Sequence, residues 1–265
     1  MRDAGPDDQR VDVLGVAVSA VNLAQATDRI ERCVDNGERH YVTVTGVHGV
    51  VESQHDPELL RIHNRAGLTT PDGMPIVWAC KRAGAGWVDR VYGPDLMLAV
   101  CARAAVRGWT SYFYGASEGV AELLARNLSD RFPGLKIAGV YSPPFRPLSS
   151  SEDQAIVDRI NEADPDLLWV GLGTPKQERW MASHFDRVSA RVLLGVGAAF
   201  DIHAGVLPQA PLWMQRSGIE WFYRLVQEPR RLVPRYLRII PAFLWRIARR
   251  PPTLIGGPGR ASRSA

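Results

Sequence analysis

Between residues 171 and 201 the chain reads GLGTPKQERWMASHFDRVSARVLLGVGAAFD, a stretch rich in groups suited to holding a phosphorylated ligand. Gly171 and Gly173 permit a tight turn because they carry no Cβ, and Pro175 suits the first turn of a helix. Lys176, Gln177 and Glu178 then fall at a helix N-terminus, where free N–H groups and the helix dipole favour an anion. A second glycine turn, at Gly197, leads to Phe200 and Asp201; Phe200 is an aromatic that either faces a base or fills core. Far upstream, Asp72 stands in Pro71-Asp72-Gly73. By itself it reads as the cap of the next helix, and in a cleft it would serve as a general base toward a hydroxyl. Arg90, between a loop and a glycine turn, reads on its own as a solvated or ion-paired residue.

The elements that must carry these groups follow from periodicity. Leu167-Leu168-Trp169-Val170 and Val192-Leu193-Leu194 are apolar runs of buried-strand length, each ending at a glycine turn. Further strands are predicted at 11–18, 41–45, 111–114 and 136–141, with helical spacing in the segments between. Strand alternating with helix predicts an α/β fold with a doubly wound, mainly parallel, Rossmann-like sheet. In such a sheet ligands sit outside the carboxyl ends of the strands, where the glycine turns lie. No GxGxxG fingerprint, P-loop or GxSxG elbow occurs, which weighs against dinucleotide binding and against a serine hydrolase. The six histidines show no ligand spacing, so no zinc site is predicted.

The chain of 265 residues has an ordinary globular composition, with 46% hydrophobic and 23% charged residues, and a formal net charge of +4. Its three cysteines, Cys33, Cys80 and Cys101, are widely spaced in apolar surroundings and read as free thiols of a reducing, cytoplasmic compartment. The polar start MRDAGPDDQR resembles neither a signal nor a transit peptide, and no apolar run is long enough to span a bilayer. Four regions are expected: an unstructured 1–10, an α/β domain at 11–205, a basic Trp/Arg-rich helical appendage at 206–250, and an unstructured 251–265. The appendage carries Trp213, Trp221, Phe222, Tyr223, Tyr236, Phe243 and Trp245 among arginines that include Arg224, Arg231 and Arg235. Aliphatics interleaved with those aromatics favour an anionic membrane surface over nucleic acid, with cation–π packing as the purely structural use. An appendage this apolar could also bury itself against a second copy of the chain.

Five segments together resemble the WecG/TagA/CpsF family of bacterial glycosyltransferases: TPDGMPIVW at 70–78, RVYGPDL at 90–96, GLGTPKQERW at 171–180, GVGAAFDIHAG at 195–205, and APLWMQRSGIEWFYRLVQEPRRL at 210–232. The resemblance spans roughly 11–238. It implies an inverting, metal-independent transferase without a cofactor, peripheral on the inner face of the cell membrane. Such an enzyme moves an N-acetylmannosamine-type or related hexose from a UDP-sugar to a polyprenyl-diphosphate-linked saccharide in cell-surface polysaccharide synthesis. By the same resemblance Asp72 is the general base, while Arg90, Gln177 and Asp201 shape the nucleotide-sugar pocket. Arg224, Arg231 and Arg235 close over the diphosphate. The family commonly ends its second strand in Thr-x-Asn; here Thr43-Val44-Thr45 has no asparagine, which leaves the choice between Thr43 and Thr45 open. That departure also sustains the alternative of a nucleotide-binding, membrane-associated regulatory protein without turnover.

Overall fold

The computed structural model describes residues 9–227 and 229–256, without the side chains of Leu212, Arg216 and Arg231. Its centre is a six-stranded sheet of β3 (His40–Thr45), β4 (Leu68–Pro71), β5 (Thr110–Gly115), β6 (Lys136–Tyr141), β7 (Leu167–Gly171) and β8 (Val192–Gly195). The order is β4-β3-β8-β7-β5-β6, and every neighbouring pair is parallel. Parallel pairing buries both faces, and strand periodicity divides the side chains between them. Leu167, Trp169, Phe113, Val192 and Leu194 pack on one face beneath α1 (Leu23–Asp35), α5 (Gly93–Arg107), α6 (Val120–Arg131) and α9 (Ala199–His203). Leu168, Val170, Tyr112, Tyr114 and Leu193 pack on the other beneath α3 (Pro57–Arg65), α7 (Ser150–Ala163) and α8 (Lys176–His184). The predicted doubly wound α/β architecture is therefore present.

Three expectations change. The run at 11–18 is not one strand but a hairpin of β1 (Arg10–Val13) and β2 (Val16–Ser19). Leu14 and Gly15 turn it at φ 55° and 91°, the positive-φ pair of a two-residue hairpin loop. Leucine is a poor residue for that conformation, so a propensity reading passes straight through it. Second, the segment expected to be unstructured beyond 250 contains β9 (Thr253–Ile255), which pairs antiparallel with β1. Arg10, expected to be unstructured, is the first residue of β1 in the same small sheet, and residues 1–8 and 257–265 lie outside the description.

Third, the C-terminal helices α10 (Leu212–Arg216), α11 (Glu220–Gln227) and α12 (Pro229–Arg249) do not hang from the domain. Ile239 and Phe243 of α12 are buried in one cluster with Val11, Val13, Val16 and Val18 of the hairpin. Val50 and Val51 of α2 (Val47–Glu52) and Ile76 and Val77 of α4 (Met74–Arg82) complete that core. A Phe243→Ala substitution is therefore expected to cost about 3–5 kcal/mol of unfolding free energy, as for other buried aromatics, measurable as a lowered denaturation midpoint. An unchanged midpoint would show that α12 contributes nothing to the fold. Cys80 and Cys101 are buried, Cys33 is half-buried, and none of the three forms a disulfide.

Candidate active site

The carboxyl ends of β4, β3, β8 and β7 lie side by side and carry most of the residues singled out above. At the β4 end, Gly73 turns the chain at φ 83° into α4, with Pro75 in the first turn. Gly73, not Asp72, is the N-cap residue, and no side chain caps α4. The capping role expected of Asp72 is thus absent, which leaves its carboxylate for other work. The Asp72 N–H donates to the Thr45 carbonyl at 3.0 Å and ties the ends of β4 and β3 together. A Cβ on Gly46 would lie 3.3 Å from the Asp72 carbonyl oxygen and 3.7 Å from Oδ2, so glycine leaves the room that Asp72 occupies. The Asp72 side chain is surrounded by protein yet 29% exposed at the strand-end surface. Burial raises its pKa above the ordinary carboxylate value; Arg90 and Arg224 oppose that shift, and Glu220 and Asp95 add to it.

Of the two readings open to Arg90, solvated or ion-paired, the second holds, and the side chain is largely buried. Its Nε lies 3.8 Å from Asp72 Oδ1, its Nη1 donates to Gln215 Oε1 at 3.5 Å, and its Nη2 pairs with Glu220 Oε2. The guanidinium lies over the Tyr92 ring, 3.9 Å from its centroid. From α11, Arg224 donates to the Tyr92 hydroxyl and reaches Glu220 Oε1 through Nε at 3.1 Å and Nη2 at 3.0 Å. Burial holds the Tyr92 hydroxyl in its neutral form, well above its usual pKa. Asp95, in the first turn of α5, is also raised by burial against the pull of Arg90. Tyr92, Asp95, Gln215 and Glu220 went unnoticed in the sequence. The signal available was Glu220 and Arg224 at i and i+4 on one helix face, with Tyr92 two residues beyond Arg90.

The second half of the site is built by β7 and β8. Gln177 is nearly buried: its Oε1 accepts from the Gly173 N–H at 3.2 Å, and its Nε2 donates to Glu178 Oε1 at 3.1 Å. Thr174 donates to the same Glu178 oxygen at 2.9 Å. A Cβ on Gly195 would meet Gln177 Nε2 at 3.2 Å, and one on Gly197 would meet Gln177 Oε1 at 3.4 Å. Those glycines therefore let the Gln177 amide lie flat on the β8 end. Lys176 is exposed in the first turn of α8, whose N-terminus has no side-chain cap. Gly93, at the start of α5, comes so near β8 that a Cβ would be 3.0 Å from the Val196 carbonyl. That start, like those of α4 and α8, has no side-chain cap, although the Ile76 and Gln177 N–H groups bond the Gly73 and Gly173 carbonyls. Asp72 follows β4, and Gln177 on α8 lies against Gly195 of β8; only β3 stands between those two strands, which are roughly 10 Å apart at the usual strand spacing.

Several expected ligand contacts lie behind this surface instead of on it. Phe200 is fully buried, with its ring against the Gly171 backbone and edge-on to Phe113 at 6.1 Å. It fills core and has no face for a base. Glu178 is fully buried, and burial raises its pKa. Thr43 and Thr45 are buried together with Thr69 and His63. Thr45 Oγ1 is 3.1 Å from His63 Nδ1, and Thr43 Oγ1 is 3.2 Å from the Nδ1 of the same ring. Burial pushes His63 down to about 4, which keeps it neutral. Asp201 is half-buried on α9, and its carbonyl accepts from Val206 and Leu207.

Of the tail arginines, Arg224 shares Glu220 and Tyr92 with Arg90 and acts on Asp72 through its charge. Arg235 lies beside α2, the helix that starts next to Asp72. Burial and then the Arg235 charge depress the pKa of His48 there, with a further contribution from Arg238. The Arg231 side chain lies outside the described residues. Around these helices Trp213 is 64% exposed, and Trp221, Phe222, Val226, Leu237 and Trp245 also face outward. Among the described residues no helix is long and apolar enough to cross a membrane. One metal-compatible group, Cys33, Glu38 and His40, forms at the opposite, amino edge of β3, away from the site.

The WecG/TagA/CpsF glycosyltransferase family matches residues 11–254. N-acetylglucosaminyldiphosphoundecaprenol N-acetyl-beta-D-mannosaminyltransferases from Staphylococcus aureus strains MRSA252 and NCTC 8325 are each 28% identical over 242 residues. The aligned region covers 91% of this chain and 92% of each relative. With the match running from the first strand of the hairpin into β9, the chain belongs to the WecG/TagA/CpsF family of glycosyltransferases.

Proposed function

We propose that this glycosyltransferase moves an N-acetylmannosamine-type residue from a UDP-sugar to a polyprenyl-diphosphate-linked N-acetylglucosamine, with inversion and without a catalytic divalent metal. The observation that carries the reading is the uncapped Asp72 carboxylate, made more basic by burial, beside the paired guanidinium groups of Arg90 and Arg224. Asp72 takes the proton of the acceptor hydroxyl while that oxygen attacks the anomeric carbon. Attack from the side opposite UDP inverts the configuration. The leaving diphosphate gains charge, and planar guanidinium groups with helix N-termini free of side-chain caps suit that charge. Gln177, braced on Gly195 and Gly197 beside Gly173, then borders the donor side of the site, to which Lys176 and Asp201 are also assigned.

The exposed aromatics of α10–α12, interleaved with arginine, support docking on an anionic membrane surface, where a polyprenyl acceptor resides. The enzyme then works as a peripheral protein on the cytoplasmic face. The test is transfer from UDP-N-acetylmannosamine to a short-chain lipid-diphosphate N-acetylglucosamine in excess EDTA, with and without anionic vesicles. A β-linked product formed equally in EDTA is expected, as is capture by vesicles that declines when Trp213, Trp221 and Trp245 are all changed to Ser. Loss of turnover in EDTA would overturn the metal-independent mechanism; unchanged vesicle capture would overturn the docking face. Surface substitutions are the right probe, because deletion from residue 206 would strip Ile239 and Phe243 from the core.

A further inference from the structure

Glu220 opens α11, a helix whose next residues, Trp221 and Phe222, point outward, yet its own carboxylate turns inward and keeps only 11% of its surface. It grips both arginines of the site: Oε2 takes Arg90 Nη2, and Oε1 takes Arg224. Arg90 Nη1 is held by Gln215, and the guanidinium plane is laid on Tyr92. What is left for Asp72 is a single edge atom, Nε, at 3.8 Å, buried and without a hydrogen-bond partner. An unrestrained guanidinium prefers two parallel bonds of about 2.7–2.9 Å to a carboxylate. Asp72, the nearest other carboxylate to Arg90 in the site, receives no such pair.

We propose that Glu220 is a positioning residue for the transfer reaction: it holds the Nη2 edge of Arg90 so that the guanidinium cannot close on Asp72 in a two-bond pair, and the Asp72 carboxylate stays free to accept a proton. The proposal rests on the reading of Asp72 as the base. The charges facing Asp72 are Arg90 from the connection before α5, Asp95 from α5, and Glu220 and Arg224 from α11. The two acids and burial raise its proton affinity, and the two arginines lower it. Removing the Glu220 charge acts twice in one direction, by deleting an acid and by releasing a cation toward Asp72. Asp72 then becomes a weaker base that holds its proton only at lower pH.

The experiment is the pH dependence of kcat for the full chain with UDP-N-acetylmannosamine and the lipid-diphosphate acceptor on vesicles, comparing wild type, Glu220→Gln, Glu220→Asp and Asp72→Asn. For Glu220→Gln the acid limb should move down by about one pH unit, the effect of a cation newly placed beside an Asp. The plateau kcat should fall with it, the donor KM should not rise, and Glu220→Asp should lie between Gln and wild type. A kcat that falls over an unmoved acid limb, or a limb that moves up, overturns the proposal and leaves Glu220 a packing residue. If Glu220→Gln does not fold, Glu220→Asp carries the test, since its withdrawn carboxylate must give a smaller displacement of the same sign. Asp72→Asn separates the two levels. Full transfer by that variant defeats the base reading itself, whereas an inactive Asp72→Asn with an unmoved Glu220→Gln limb defeats only the role given to Glu220.

Discussion

Replacing Asp72 by Asn should leave UDP binding unchanged and lower kcat by about 10²- to 10⁴-fold, the usual range for loss of a general base. Asparagine keeps the shape of the side chain, and the backbone N–H to Thr45 that ties β4 to β3 survives the change. The variant should therefore unfold at the wild-type temperature. Its amide cannot accept a proton from an acceptor hydroxyl. The dependence on pH in the parent enzyme has a defined sign: with its pKa raised by burial, Asp72 is protonated and idle at the acid end. Transfer should rise as pH passes upward through a midpoint above that of an ordinary Asp. Calorimetric titration with UDP, unfolding temperature and single-turnover transfer form the three measurements. Transfer at the wild-type rate would remove Asp72 from the chemistry.

Replacing Arg224 by Ala should cost about 10²- to 10³-fold in kcat, comparable with loss of one preorganised donor to a developing anion. Arg224 lies among Tyr92, Glu220 and Asp72, whose interactions outweigh the burial that opposes its charge. In the proposed reaction a leaving diphosphate would meet a guanidinium already oriented by Glu220 and Tyr92. Lysine should restore charge but only part of the rate, because an ammonium lacks the planar fork. Donor KM should change less than kcat if the contact strengthens as the bond to UDP breaks. A large rise in KM with kcat preserved would assign Arg224 to ground-state binding instead.

The alternation of strands in the large sheet was legible because most of its strands are short apolar or β-branched runs, several closed by a glycine turn, and such runs need no distant information. β4 was not among the predicted strands, and the strand order is set by contacts distant in sequence. The turns that carry Asp72, Gln177 and Gly197 were legible as local features, although Asp72 by itself read as a helix cap and no side chain caps α4. The hairpin at Leu14 was not, because its turn uses a residue that disfavours positive φ. Nor was β9, three residues long and given its identity only by β1. The sequence leaves Phe200 between facing a base and filling core, and Gly171 decides it by making space for the ring from another strand. The pairing of Arg90 with Glu220 joins residues 130 apart in sequence, and no periodicity within either segment reports it. Resemblance to the family placed Arg90 and Arg224 near one ligand; only coordinates supply the carboxylate between them.

The bond between β1 and β9 sets a schedule for biosynthesis. About 240 residues separate the two strands, which a ribosome adds in roughly 12–48 s at about 5–20 residues per second. Through that interval the amino-terminal hairpin has an unfilled edge, and the apolar pocket it shares with α2 and α4 lacks Ile239 and Phe243. A nascent chain therefore carries a sticky strand until its last helix arrives. Translation stalled before residue 239 would leave a polypeptide with its six-stranded sheet complete in sequence but its hairpin a target for chaperones and proteases.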